Sequence, residues 1–130
     1  MSLAVIDSGA LLELILKHGA AGVPRHAATA DLVAPHLLDP EFLSSTRKLI
    51  LRGSIPIERA ERLIREFKRV TIRRFSHGPL LEKAWALREN ITPYDAMYVA
   101  LAQTLGVPLI TADARLRRAA ESYCAVTLLA

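Results

Sequence analysis

The chain is short of cysteine. Cys124 stands alone among 130 residues, which excludes an internal disulfide and a cysteine-based zinc site. Histidine offers no ligand set either, because His18, His26, His36 and His77 are scattered without ligand spacing. Long apolar runs are missing. No stretch reaches the roughly 18 uninterrupted apolar residues of a membrane span. The apolar start, MSLAVIDSGALLELILKHG, has no basic leader and is broken by Asp7 and Glu13, so it does not read as a signal peptide. Gly/Ser linkers, low-complexity tracts and solenoid repeats are absent. So are a glycine-rich phosphate loop and a G-x-S-x-G nucleophile elbow. What remains is the expectation of one cytoplasmic domain over residues 1–130, with no membrane partner.

Apolar residues are plentiful at 52%, enough for a real core at this length. The net charge is +4 and the pI about 9.6. Ten of the seventeen basic residues fall between Arg47 and Arg74. Such an excess suits a polyanion such as RNA, or an acidic protein partner. It also suits solvated helix faces.

The apolar pattern sets out the elements. LAVI, ending at Asp7, suits a strand buried on both faces. Leu11, Leu12, Leu14, Ile15 and Leu16 suit a helix. Residues 19–30, with Gly19, Gly22 and Pro24, predict a loop followed by part of a helix. LVAPHLL is a second strand, weakened by Pro35. DPEFLSSTRKLILRG predicts a helix capped by Asp39, with Pro40 at its first position and Gly53 at its exit. PIERAERLIREFKRV is amphipathic, with Ile57, Ala60, Leu63, Ile64 and Phe67 on one face. TIRRF follows as a strand and PLLEKAWALREN as a helix. TPYDAMYVALAQTLG reads as a helix with Ala96 to Ala102 as its buried body. PLIT, ADARLRRAAES and AVTLL complete the chain as strand, helix and strand. Strand and helix alternate, with two helices inserted in the middle. That order predicts an α/β sandwich around a mostly parallel sheet.

The acids then fall into place. Asp7 ends the first strand, and Asp113 ends PLIT. Asp95 and Glu41 lie in the first turns of helices. Each has an ordinary reading, since acids favour helix N-termini, and Thr92 with Asp95 has capping-box spacing. Together they imply more. In a parallel sheet, strand ends and following helix starts share one edge, where ligands bind. Two carboxylates about 4 Å apart repel by roughly 4 kcal/mol at an effective dielectric of about 20. A converged cluster therefore needs raised pKa values or a cation. Oxygen-only ligands favour Mg²⁺ or Mn²⁺, and such a metal on a basic protein suggests phosphate chemistry.

AVIDSGALLELIL, APHLLDPEFLSSTRKLILRG and TPYDAMYVALAQTLGVPLITADARL, in this order, resemble the PIN-domain family, and more narrowly the VapC toxins of type II toxin–antitoxin systems. The resemblance spans essentially the whole chain. It implies a PIN-like α/β/α sandwich with helices on both faces of a mostly parallel sheet. It implies a catalytic set of Asp7, Glu41, Asp95 and Asp113, with Asp7 and Asp95 as direct ligands of Mg²⁺ or Mn²⁺. Glu41 and Asp113 would complete the pocket or orient a water for RNA cleavage. It further implies a homodimer and a cognate antitoxin, with DNA reached only through that antitoxin. Arg47, Arg52, Arg59 and Arg62, on the two middle helices, are expected to wall the antitoxin groove. One departure stands out: relatives often carry a hydroxyl two places after the first acid, where this chain has Gly9, with Ser8 one place earlier. Thr111 is a further polar candidate at the pocket edge. A receiver-type domain fits poorly, lacking a paired acid cluster, a middle-strand Asp and a late Lys. A PIN-like module that binds without cutting, and a housekeeping RNA-processing PIN nuclease, are the remaining alternatives.

Overall fold

In a computed structural model, residues 2–27 and 30–129 are described. Residues 28 and 29, part of the expected 19–30 segment, lie outside them. The elements run β1 (Leu3–Ile6), α1 (Ser8–His26), β2 (Asp31–Pro35), α2 (Leu38–Leu51), α3 (Ile57–Arg69), β3 (Ile72–Phe75), a 3-10 turn (Gly78–Leu80), α4 (Leu81–Ala86), α5 (Pro93–Leu105), β4 (Leu109–Thr111), α6 (Ala114–Ala120) and β5 (Val126–Leu128). The strands lie in the order β3-β2-β1-β4-β5. Every pairing is parallel, so the expected mostly parallel sheet is parallel throughout its described strands.

β1 sits at the centre. Its Val5 pairs with Val33 on one side and Leu109 on the other. Both neighbours and both faces are covered, which is why LAVI carries no polar residue. Helices cover the sheet on both faces. α1, α2 and α3 pack on one another, and α4 packs on α5, which lies against β1, β2 and β4. Val5, Ile6, Leu109 and Ile110 are all buried, and burying each such side chain contributes about 1.5–3 kcal/mol.

The amphipathic reading of α3 holds at Ala60, Leu63 and Phe67, all buried, with Phe67 stacked on Phe42 of α2. Ile57 departs from it and is 57% exposed, because it opens the helix beyond the reach of α1. Two further expectations are corrected. Residues 19–26 are not a loop. Gly19 alone leaves helical geometry, with φ 69° and ψ 172°, and the helix resumes through His26. Asp39 does not cap α2. The helix starts two residues earlier, at Leu38, with Leu37 at its N-cap and no side-chain cap. Asp39 instead accepts a hydrogen bond from Arg74 Nε at 2.9 Å, and Arg74 Nη2 donates to it at 2.8 Å. That pair ties β3 to the first turn of α2. The PLLEKAWALREN helix is shorter than expected, ending at Ala86.

Candidate active site

Local chemistry places each acid. Asp7 leaves β1 in extended geometry and caps α1, its Oδ1 accepting from the Ala10 amide at 2.8 Å. Asp113 caps α6, accepting from Arg115 N–H at 2.8 Å and Leu116 N–H at 3.3 Å. Asp95 lies in the first turn of α5, where Thr92 Oγ1 accepts from its backbone N–H at 3.3 Å. Only that half of the capping box forms. Among the described residues, the Asp95 carboxylate makes no hydrogen bond, neither to the Thr92 amide nor to another group. Glu41, in the first turn of α2, accepts from the Tyr98 hydroxyl at 2.6 Å.

All four acids line one cleft of about 690 Å³ at the carboxyl edge of the sheet. Their electrostatics register the convergence. Burial pushes the Asp7 carboxyl up from 3.8 to about 6, and the charges of Asp95 and Glu41 push the same way. The Thr111 hydroxyl and the Ala10 amide favour the carboxylate and offset this only in part. Glu41 is raised by burial and by Asp95, against the Tyr98 hydrogen bond. Asp95 is raised by burial and then by Asp113. Asp95 is thus coupled to each of the other three.

Among the described residues, no three His, Cys, Asp or Glu side chains stand close enough together to hold a metal ion as a group. The carboxylates stand as separate arms around an open cleft. That arrangement fits Mg²⁺, which keeps several waters and takes one or two carboxylates directly. All four acids offer hard oxygen donors, and Asp95 lines the same cleft as the other three.

Three lining residues went unread in the sequence. Lys48 and Arg115 are the cations of the cleft wall. Lys48 stands two turns beyond Glu41 on α2, past the i, i+4 spacing that pairs helical side chains, so no local signal flagged it. Tyr98 is 1% exposed, and burial with its bond to Glu41 keeps its phenol protonated. Its signal was a hydroxyl three places after Asp95 in an otherwise apolar helix. Thr111 is fully buried, and its Oγ1 accepts from Asp113 N–H at 3.1 Å. It supports the acids from beneath. At Gly9, a Cβ would lie 3.8 Å from Asp7 Oδ1, an ordinary contact, so sterics do not demand glycine there. Ser8 Oγ is buried without a hydrogen-bond partner among the described residues. Arg47, Arg52, Arg59 and Arg62 are all exposed and lie outside the cleft wall. A second, more apolar groove of about 790 Å³, bordered by Gly19, Pro24, Leu32 and Val70, contains none of the four acids. Among the described residues, no helix is long and apolar enough to cross a membrane.

A parallel sheet that gathers four carboxylates at its carboxyl edge defines an acid-site α/β domain, and the PIN domain model matches residues 4–122; the chain belongs to the PIN-domain family. Within it, the chain is 36% identical over 132 residues to Ribonuclease VapC1 of Mycobacterium tuberculosis, covering 99% of both chains. Two solved structures share the fold. PAE2754 from Pyrobaculum aerophilum superposes with a TM-score of 0.72 at 24% identity, over 96% of this chain and 83% of that one. VapBC2 from Rickettsia felis, bound to a DNA fragment from their promoter, superposes at 0.70 and 14% identity, over 98% and 99% of the chains.

Proposed function

We propose that this chain is a metal-dependent endoribonuclease and the toxin of a type II toxin–antitoxin pair. One observation carries the catalytic reading: four acids from four separate elements meet in one cleft, and burial and mutual repulsion raise three of them. Capping alone needs no such convergence. The ribonuclease names of relatives at about this identity support the substrate class.

Asp7 and Asp95 would hold Mg²⁺, or Mn²⁺, and Glu41 and Asp113 would orient water around it. The bound cation supplies a low-pKa water and stabilises charge developing on phosphorus. Asp7 is fixed for this by its Ala10 bond, and Asp113 by its two amide bonds. Lys48 and Arg115 bring positive charge to an otherwise acidic wall, where a phosphodiester would lie. The exposed arginines of α2 and α3 would wall the groove that receives a cognate antitoxin. A homodimer, with DNA contacted only through that antitoxin, completes the proposal.

The test is cleavage of a total-RNA panel by purified protein with Mg²⁺, with chelator, and with Asp95→Asn. Discrete cuts that need both metal and Asp95 are expected. Equal cutting by Asp95→Asn would return Asp95 to a cap and end the reading. Metal binding without cleavage of any RNA in the panel would favour a module that binds without cutting.

A further inference from the structure

The Tyr98 hydroxyl lies where the functional reading leaves a gap. Glu41 and Asp95 sit on different helices, and both are half-buried. A flexible glutamate needs something to fix its head. Its Oε1 accepts from Tyr98 at 2.6 Å across 57 residues of sequence. Oε2 has no hydrogen-bond partner among the described residues. Tyr98 itself stands one helical turn after Asp95, so α5 presents the two side chains on one face. Its ring is among the largest fully buried side chains, which locks the hydroxyl's position by packing. Its hydroxyl also lies close enough to Asp7 and Asp95 to feel both charges.

We infer that Tyr98 is a positioning residue of the metal site: its hydroxyl holds Glu41 Oε1 and thereby aims Oε2 into the cleft. This rests on the proposed metal-dependent reading. The residue type suits the task. A lysine or arginine here would pair with the acids and compete with a cation. A phenylalanine would leave Glu41 free to swing. Tyrosine adds a donor and no charge. A short bond to a carboxylate is stronger than one between neutral groups, so its loss is measurable.

The experiment is a double-mutant cycle of Tyr98→Phe and Glu41→Ala, read by Mn²⁺ calorimetry and by RNA cleavage. Tyr98→Phe keeps the ring, and thermal melting checks the fold. Val99→Ala, a buried neighbour without a polar group, reports a packing loss alone. We expect Tyr98→Phe to weaken Mn²⁺ binding and lower kcat by roughly fivefold or more, with KM for RNA unchanged. In the Glu41→Ala background, where no acceptor is left for the hydroxyl, it should have no further effect on Mn²⁺ affinity. Val99→Ala should lower the melting temperature and leave Mn²⁺ affinity intact. The inference is overturned if Tyr98→Phe loses stability but keeps Mn²⁺ affinity and kcat. It is equally overturned if the two losses simply add, or if Val99→Ala reproduces the Mn²⁺ loss. Asp95→Asn separates the two claims: normal Mn²⁺ binding and cleavage by that variant sinks the site itself, whatever Tyr98 does.

Discussion

At the scale of single residues, Asp7 has a cost to carry. Its carboxyl is held at about 6 in the folded chain against 3.8 unfolded. Between those values the folded state binds the extra proton. Stability from this group is therefore full below about pH 4 and lost as pH rises through about 6. The displacement corresponds to roughly 3 kcal/mol, and Glu41 and Asp95 shift the same way. Metal-free protein should melt higher at pH 4.5 than at pH 7, and Mg²⁺ should remove the difference. Asp7→Asn keeps an acceptor for the Ala10 amide while losing the charge. It should melt above wild type at pH 7 without metal, and its pH profile should be flatter. A wild-type profile without slope between pH 4 and 6.5 would show that neither burial nor the neighbouring acids hold the Asp7 carboxyl up. Arg74 offers a second test. Its bonds to Asp39 are short but partly exposed, so Arg74→Ala should cost about 1 kcal/mol in urea unfolding.

At the scale of elements, α5 owes its position to its two ends. Thr92 and Pro93 start it. Gly106 stops it at φ 66°, in the left-handed region, while Val107 N–H reaches back to Ala102 at 3.1 Å. A side chain at Gly106 is strained there, so Gly106→Ala should cost about 1 kcal/mol or slightly more, measured by urea unfolding. These ends were legible because capping chemistry is local. The same holds for β1, whose unbroken apolar run announces burial on both faces. α2 was read two residues late because its start is decided from afar: Arg74, on β3, takes the carboxylate that would otherwise cap. Gly19 misled in the opposite direction. A glycine that breaks one residue of a helix looks, in sequence, like one that opens a loop. The four acids could be named from local signals, since each sits at a strand end or helix start. Lys48, Arg115 and Tyr98 could not be placed beside them, because their meeting depends on how α2, α5 and α6 pack.

At the scale of the whole molecule, charge is unevenly placed. The acids face one cleft, while Arg47, Arg52, Arg59 and Arg62 stand exposed on α2 and α3. If those helices receive the antitoxin, Arg59→Glu with Arg62→Glu should slow association and reduce its salt dependence. Unchanged association kinetics would remove the arginines from that interface. Strand order has a further consequence, for time rather than space. β1 is made first, yet one of its two neighbours is β4, roughly a hundred residues later. Closing so long a loop is entropically costly, and such distant pairing slows folding. Asp7 waits in the same way for Asp113. On the ribosome, until Asp113 has emerged and β4 has docked, no fragment of the nascent protein holds all four acids together, so the proposed site is among the last features of the fold to form.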